Sequence, residues 1–280
     1  MLDHLPTPLC LTAQLESLDA DIVGLNEVTA VFLKKAMATP WIRERYYLSV
    51  VLGSLSCKRL STVRGGGSFG NLIMSKLPLD YVEYVNSGSG RHSHAAQFTL
   101  GSHKVKVCST HLIAAPYINE GKRKRELQRL TASLGMHDGT VVIMGDFNFH
   151  REAENSSIPE GWSEVPAVVS LGTTWSFARN KMLAHYLPLR NLYNGLGLGA
   201  SFGWPSEMRL DRLLIKGDNL DNDNAEARLF ANEPIHERGK DRPALPQSGP
   251  ELREKHRNMP WEEFLFPSDH FGIVVDIPAK

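Results

Sequence analysis

Apolar residues recur along the chain at two spacings, and the spacing predicts where helices and strands lie. Leucines three and four positions apart predict amphipathic helices over 11–18 and 120–136. Short apolar or alternating runs predict strands instead. The predicted strands cover 22–25, 71–74, 94–100, 104–112, 140–144, 210–215 and 272–277. The run 140–144 is almost continuously apolar, as expected of a strand that is buried on both faces.

One long stretch breaks this pattern. Residues 218–263 are polar and rich in proline, with little periodicity. We therefore predict a long, partly disordered loop there. The rest of the 280-residue chain alternates between helices and strands, and a single domain of this kind can reach about 250 residues. We predict one domain over 1–280.

Composition narrows the class of protein. The 31 basic residues balance the 31 acidic ones, which argues against bulk electrostatic binding of nucleic acid but not against a local basic cleft. Three cysteines without a CxxC pair favour reduced thiols in an intracellular protein. The sequence has neither a signal-peptide pattern nor an apolar run of about 20 residues. We expect a nuclear or cytoplasmic monomer that does not bind membranes.

Polar residues able to hold a metal or a phosphate lie at the ends of several predicted strands. They are Glu27, His111, Asp146, Asn148, Asp211, Asp269 and His270. Strand ends at one edge of a sheet are where α/β architectures usually gather their active sites.

Asp146 and Asn148 carry the sharpest of these signals. Two positions apart on an extended chain, their side chains point the same way. The carboxylate can take a proton from water or hold a hard cation, and the amide can orient a water or donate to a phosphate oxygen. Gly145, Asp146 and Asn148 are also common turn residues, so a plain turn is an equal alternative.

The other candidates each have an ordinary alternative. His270 beside Asp269 can act on a phosphate or lie at a helix cap or on the surface. Asp211 can orient an imidazole or pair with a neighbouring arginine. Glu27 can hold Mg²⁺, which needs only one or two carboxylates, or be a helix N-terminal charge. His111 can donate to a phosphoryl oxygen or be a satisfied core histidine.

Taken in order, seven segments resemble motifs of the endonuclease/exonuclease/phosphatase superfamily. They are Asp21-Ile-Val-Gly-Leu-Asn-Glu27-Val, Gly70-Asn71-Leu-Ile-Met-Ser75-Lys76-Leu-Pro78, Thr110-His111-Leu112, Arg125 with Gln128, Gly145-Asp146-Phe147-Asn148, Arg209-Leu-Asp211-Arg212 and Pro267-Ser-Asp269-His270-Phe-Gly272. The resemblance extends from about residue 11 to residue 277 and is broken mainly by the long loop.

The resemblance implies a fold and a chemistry. The fold is a DNase I-like, four-layer α/β sandwich with two central, mainly antiparallel sheets flanked by helices. The chemistry is Mg²⁺- or Mn²⁺-assisted cleavage of a phosphoester.

The resemblance also implies a role for each matched residue. Glu27 is expected to be the principal metal ligand, with Asp269 near the metal. Asp146 is expected to activate water and Asn148 to fix it. His270, held by Asp211, would contact the phosphate, and His111 would stabilise the transition state. Asn71 and Arg125 are expected to bind substrate.

Within the superfamily, the stretch after Asn148 resembles the 5′-tyrosyl-DNA phosphodiesterase branch. The matching segments are Ile158-Pro159-Glu-Gly-Trp162-Ser-Glu164-Val165, Thr174-Trp175 and Asn180. Trp175 is accordingly a candidate for stacking on a base or sugar, with a core position as the alternative.

One departure from the family pattern affects the expected activity. The superfamily begins with a strand that carries an Asn, and this sequence starts directly before its first helix. We expect that strand to be lacking, either because the sequence is truncated or because the protein has lost the element. A missing core strand would expose a sheet edge and weaken or abolish activity.

Three functional hypotheses follow. The first is a phosphodiesterase acting on DNA or RNA ends. The second is an inositol-phosphate or sphingomyelin phosphoesterase of the same fold. The third is a catalytically impaired member that acts as a binding module.

Overall fold

The computed structural model describes residues 7–50, 69–88, 92–114, 119–180, 183, 206–232 and 268–280. The helices are α1 (Thr7–Leu18), α2 (Ala30–Ala38), α3 (Pro40–Arg45), α4 (Glu120–Leu134), α5 (Pro166–Ser170) and a short 3-10 helix (Glu152–Ser157). The strands are β1 (Ile22–Thr29), β2 (Tyr47–Leu48), β3 (Phe69–Ser75), β4 (Tyr81–Asn86), β5 (His92–Leu100), β6 (His103–His111), β7 (Thr140–Asp146), β8 (Ser163–Glu164), β9 (Trp175–Ser176), β10 (Glu207–Met208), β11 (Asp211–Lys216), β12 (Glu226–Phe230) and β13 (Gly272–Asp276).

The largest sheet has six strands in the order β4-β5-β6-β7-β11-β8. Its pairs are antiparallel except for β6 and β7, which are parallel. A parallel pair needs a crossover connection, and α4 lies in the segment that joins these two strands. The carboxyl ends of β6 and β7 therefore meet at one edge, where His111 is the register partner of Asp146.

Two smaller units pack against one face of this sheet. One is the antiparallel sheet β1-β3-β2, and the other is the antiparallel pair β12–β13. Both contribute to the same apolar cluster, in which Ile22 of β1 and Ile273 of β13 pack against Val142 and Leu213.

Helices cover the outer faces. Leu127, Leu130 and Leu134 of α4 are fully buried and pack with Val141 and Ile143 of the six-stranded sheet. Phe32 and Leu33 of α2 and Ile42 of α3 pack with Leu72 and Met74 of β3. Helices, sheet, sheet and helix make four layers, and the predicted four-layer α/β sandwich is confirmed.

Local chemistry explains where α2 starts. Thr29 ends β1 with extended backbone, and its hydroxyl accepts the Phe32 amide at 3.1 Å. This is the expected N-cap for an orphan amide of a helix's first turn. Because strand and helix share this residue, the position of Glu27 relative to the core is set by both elements.

Strands β1 and β13 each have one open side within the described residues. Among these, β1 pairs only with β3, and β13 pairs only with β12. The side chains of Ile22, Val23 and Leu25 in β1 are only partly buried. The expectation that the family's first strand is lacking stays a prediction.

The structure corrects the prediction of one continuous loop over 218–263. Residues 226–230 form β12, which pairs with β13 over its full length. Ala227 and Leu229 alternate with exposed Glu226 and Arg228, but the strand is short and its partner lies more than 40 residues away. Residues 233–263 lie outside the described part of the chain.

Within the part of the chain that the structure describes, no helix is both long enough and apolar enough to cross a membrane.

Candidate active site

The end of β7 places a buried carboxylate at the edge where the sheets meet. Gly145 has φ of 135°, and an added Cβ would lie 2.0 Å from the Thr110 carbonyl oxygen. Glycine is therefore required for β6 and β7 to approach this closely. Asp146 follows and is only 7% exposed.

Asn148 fixes the orientation of this carboxylate. The Asn148 amide donates to Asp146 Oδ1 at 2.7 Å, and its side-chain Nδ2 donates to Oδ2 at 2.9 Å. Asn148 Nδ2 also donates to the Leu112 carbonyl at 3.0 Å. Asn148 has φ of 51°, in the left-handed region, where Asn is among the residues best tolerated. The turn and the candidate site are thus the same structure.

β1 brings Glu27 to the same edge through a bulge. The register between β1 and β3 shifts between Leu25 and Val28, and Glu27 has φ of 54°. Bulges re-aim side chains, and a non-glycine residue at positive φ is strained backbone of the kind found at functional sites. The Glu27 side chain is 47% exposed and lies 4.0 Å from His111 Nδ1.

His111 lies between the two carboxylates. Its Nε2 is 3.4 Å from Asp146 Oδ2, and its Nδ1 faces Glu27. The ring is only 6% exposed and stacks on Phe69. The packing against Phe69 limits the rotation of the imidazole. The imidazole therefore stays in place between Glu27 and Asp146.

A second histidine approaches Asp146 from the other side. Asp211 is the register partner of Asp146 across β11 and β7, and Asp211 Oδ2 is 2.9 Å from His270 Nδ1. Asp146, Asp211 and His270 each offer a ligand atom, and these three atoms lie within 4.8 Å of one another. The structure therefore unites three residues from separate segments, the outer two of which, Asp146 and His270, are 124 positions apart in sequence.

Burial and charge set the protonation states of the pair at the centre. Burial raises the pKa of Asp146 to about 7, with Asp211 and Glu27 adding to the rise and His270 opposing it. Burial lowers the pKa of His270, but the charges of Asp211, Asp146 and Asp269 outweigh burial and hold that pKa well above 6.5. At neutral pH the site therefore contains an imidazolium beside a carboxyl group that is present in both its protonated and its ionised form.

Thr174 holds together the two segments that carry Asp211 and His270. Its hydroxyl accepts the amides of Leu210 and Asp211 at 3.0 and 3.1 Å. Its carbonyl accepts the amide of Phe271 at 2.7 Å. The Thr174-Trp175 segment thus has an internal role that its sequence pattern alone did not reveal.

The remaining predicted residues have different positions. Asp269 is half-buried beside His270 and acts on it through charge. Asn71 is 2% exposed, and its amide accepts from Asn26 and donates to the His92 carbonyl. Both ends of that amide are already engaged within the protein, which fits an internal role better than direct substrate contact.

Trp175 and Arg125 also differ from their predicted roles. Trp175 is 3% exposed and packs with Met208, Leu210 and Phe177, so the core alternative describes it and base stacking by its ring is not supported. Arg125 lies on the exposed side of α4. The structure does not place it among the clustered side chains.

The buried polar face of α4 carries Arg123 and Glu126 instead. Arg123 is fully buried and forms two hydrogen bonds to Glu154, at 2.7 and 3.0 Å. Glu154 also accepts the His150 amide at 2.9 Å, and Glu126 accepts the Ile113 amide at 2.8 Å. These bonds fix the segments that follow His111 and Asn148.

The donor set fits a divalent cation. Glu27, Asp146, Asp211 and Asp269 are four carboxyl groups with one imidazolium to offset them. Burial is the main cause of the raised pKa of Asp146, and the negative charges of Asp211 and Glu27 add to it. Hard cations such as Mg²⁺ take oxygen ligands, usually one or two carboxylates with waters and substrate phosphates. The half-exposed Glu27 is the carboxylate best placed to receive such an ion from solvent.

The fold is a two-sheet α/β sandwich, and the clustered side chains lie at one edge of its sheets. The family model "Endonuclease/Exonuclease/phosphatase family" matches residues 4–270. The chain therefore belongs to the endonuclease/exonuclease/phosphatase family, whose members are hydrolases. No curated protein shows significant sequence similarity to it.

Solved structures agree in fold. The chain is similar to truncated TDP2 from Caenorhabditis elegans, with a TM-score of 0.62 at 18% identity over 97% of this chain and 90% of that one. It is similar to D. rerio TDP2 complexed with single-strand DNA product, with a TM-score of 0.65 at 18% identity over 99% and 94%. It is also similar to a mannosyl-6-phosphatase from Bacteroides thetaiotaomicron, with a TM-score of 0.56 at 13% identity over 97% and 90%.

Proposed function

We propose that this protein is a divalent-metal-dependent phosphodiesterase that acts at nucleic-acid ends, with 5′-phosphotyrosyl DNA as its preferred substrate. The observation that carries the hydrolytic part is the convergence of Asp146, Asp211 and His270 within 4.8 Å. The Asp146 carboxylate can accept a proton from an attacking water, and the nearby His270 imidazolium can stabilise the negative charge of a phosphoester.

Each residue has a role that its contacts support. Asp146, with a pKa of about 7, accepts a proton from the attacking water. Asn148 holds both oxygens of that carboxylate in place. His270, kept cationic by Asp211, binds a non-bridging phosphate oxygen, and His111 stabilises charge that builds up in the transition state.

The metal is assigned to the Glu27 side of the site. Glu27 and Asp269 would hold Mg²⁺ or Mn²⁺. When bound, the ion supplies neutralisation of phosphate charge and stabilisation of the leaving oxygen. The strained backbone of Glu27 supports a functional role for its side chain, since strain of this kind persists only where the surrounding structure compensates for it.

The nucleic-acid part of the proposal is supported by two observations. The segment from Ile158 to Asn180 resembles the 5′-tyrosyl-DNA phosphodiesterase branch, and the D. rerio TDP2 structure contains single-strand DNA product. The fold is shared with a phosphatase, so fold does not decide the substrate. A nuclear or cytoplasmic location and a monomeric state stay predictions.

A substrate panel tests the proposal. Purified protein with Mg²⁺ is incubated with a 5′-phosphotyrosyl oligonucleotide, abasic DNA, poly(A), an inositol phosphate and sphingomyelin, each with and without EDTA. Mg²⁺-dependent release of tyrosine from the first, at the highest kcat/KM, is expected. Preferred turnover of an inositol phosphate or sphingomyelin would replace the nucleic-acid assignment. No turnover of any member, with wild type and Asp146→Asn behaving identically, would favour a binding module.

A further inference from the structure

The side chain of Asn26 joins the two central sheets by hydrogen bonds beside the candidate site. It occupies the β1 bulge directly before Glu27. Its Nδ2 donates to Asn71 Oδ1 on β3 at 2.7 Å, and to the Thr110 carbonyl and Ser109 Oγ on β6 at 2.9 and 3.2 Å. Its Oδ1 accepts the Asp146 amide at the end of β7 at 3.0 Å.

These four contacts connect β1 with β3, β6 and β7, and three of these strands carry a residue of the candidate site. β1 carries Glu27, β6 carries His111 and β7 carries Asp146. A reciprocal bond strengthens the connection, because Ser109 Oγ donates to the Leu25 carbonyl of β1 at 3.3 Å. The amide of Asn26 thereby replaces backbone pairing that the bulge and the end of β7 leave unmade.

The backbone of Gly145 lies close to the side-chain amide of Asn26. A Cβ on Gly145 would lie 2.8 Å from Asn26 Oδ1, so glycine at 145 makes room for the Asn26 side chain as well as for the Thr110 carbonyl. Asn71, whose own Nδ2 donates to the His92 carbonyl at 2.8 Å, orients the acceptor that Asn26 uses. A longer or a charged side chain at position 26 could not form the same set of hydrogen bonds to these groups.

We propose that Asn26 is a positioning residue that sets the separation between Glu27 and Asp146, and hence between a bound metal and the proton acceptor. It acts through its neighbours and does not touch substrate. The inference rests on the proposed phosphodiesterase function for its kinetic readout. Its structural readout, the exchange protection of the Asp146 amide, is independent of activity.

Two substitutions and one control test the proposal. Asn26→Asp is nearly isosteric but removes both N–H donors, and Asn26→Ser is uncharged and too short to reach both sheets. Val168→Ala, in a buried residue of α5 away from the site, serves as a stability-matched control. For both position-26 variants we expect kcat on the 5′-phosphotyrosyl oligonucleotide to fall by about 10- to 100-fold, with KM changed by less than about threefold.

The control distinguishes positioning from general destabilisation. Val168→Ala should lower the melting temperature while leaving kcat within twofold of wild type at a temperature where it is folded. Amide exchange followed by NMR should be at least about tenfold faster for Asp146 in Asn26→Ser, relative to Ile143 of the same strand, because the acceptor for that amide is lost.

The outcomes separate the two proposals. Wild type that turns over a phosphodiester, together with Asn26 variants of unchanged kcat, overturns the positioning role alone. Unchanged exchange of the Asp146 amide in Asn26→Ser overturns it whether or not the protein is active. Absence of wild-type turnover with faster exchange of that amide overturns the phosphodiesterase function and leaves the structural connection intact.

Discussion

Asp146 is a carboxyl group whose environment disfavours its charged form, and this has a measurable consequence for pH dependence. Burial raises its pKa to about 7, compared with about 3.9 for a free Asp. A proton acceptor works only when deprotonated, so kcat/KM should fall about tenfold per pH unit below pH 7 and level off above it. A cation bound near Glu27 favours the ionised form of Asp146. Raising the Mg²⁺ concentration should therefore move the fall in kcat/KM to lower pH.

A matched pair of variants checks the assignment. Asp146→Asn should lower kcat by about 10²- to 10⁴-fold, whereas Asp138→Asn, in an exposed residue just before β7, should leave it unchanged. The raised pKa of Asp146 also makes the stability of the folded protein depend on pH. Because the pKa is higher in the folded than in the unfolded chain, the contribution of this carboxyl is full below about pH 4 and is lost as pH rises through 7. A rate profile that is flat from pH 5 to 8 in low Mg²⁺ would contradict the assignment.

His270 depends on Asp211 for its charge. Burial alone lowers the pKa of this imidazole, and Asp211 supplies the largest opposing effect through a 2.9 Å contact. Asp211→Asn should therefore lower the pKa of His270, reduce its cationic fraction near pH 7 and lower kcat by about 10²-fold or more. Part of the loss should be recovered at lower pH, where His270 regains its proton. The control is Asp276→Asn, because Asp276 pairs with Arg228 at the surface; equal losses in both variants would disprove the dependence.

At the residue scale, the sequence predicted most of the side chains that the structure brings together, because chemistry restricts which side chains can hold a metal or act on a phosphate. Asp146, Asn148, Asp211, His111 and His270 were all predicted from their motifs, and the structure brings them together. Burial was not predictable in the same way. A Trp that stacks on a base and a Trp in the core have the same local sequence, and only the packing of Met208 and Leu210 over Trp175 separates them.

At the scale of elements, α4 shows how a shift of two residues changes a helix's interpretation. The matched motif contains Arg125 and Gln128, and Arg125 was expected to bind substrate. Both are exposed, however, whereas Arg123 and Glu126 are buried. Residues two apart on a helix point about 200° apart. The positions of the leucines indicate the buried face of α4, because Arg123 and Glu126 each lie four residues before a buried leucine.

The Arg123–Glu154 pair should therefore be important for stability. Both side chains are almost fully buried, and removing one partner leaves an uncompensated buried charge, which typically costs about 3–5 kcal/mol. Glu154→Gln and Arg123→Met should each lower the free energy of unfolding by an amount of this order, as measured by denaturant titration. Arg125→Gln, two residues away and exposed, should change it by less than about 0.5 kcal/mol. Comparable losses for Arg125→Gln and Arg123→Met would show that burial of the pair contributes nothing.

β12 was missed for a different reason. Its five residues pair with β13, which follows more than 40 residues later, and such a non-local partner leaves little trace in a short segment. The alternation of Ala227 and Leu229 with Glu226 and Arg228 was visible in the sequence but lay inside a polar, Pro-rich stretch. Pairing across the fold, and not local propensity, decides the structure of this segment.

At the scale of the whole molecule, the two central sheets deliver complementary chemistry to one edge. The small sheet supplies Glu27, and the large sheet supplies His111, Asp146 and Asp211. The carboxylates repel one another when no cation is present, which is why the pKa of Asp146 includes contributions from Asp211 and Glu27. A divalent cation at this edge should thus stabilise the fold as well as support catalysis.

Thermal unfolding with and without metal tests this coupling. A ligand that binds only the folded state adds about 2.7 kcal/mol at a concentration 100 times its Kd, and for a domain of this size 1 kcal/mol raises the melting temperature by roughly 2–4 °C. Mg²⁺ at saturation should therefore raise the wild-type melting temperature by several degrees, and EDTA should reverse the rise. Glu27→Gln should lose most of that increase, while Glu16→Gln on the exposed face of α1 should keep it. If Glu27→Gln responds to Mg²⁺ as wild type does, the ion binds elsewhere, and the role assigned to the β1 bulge has to be abandoned.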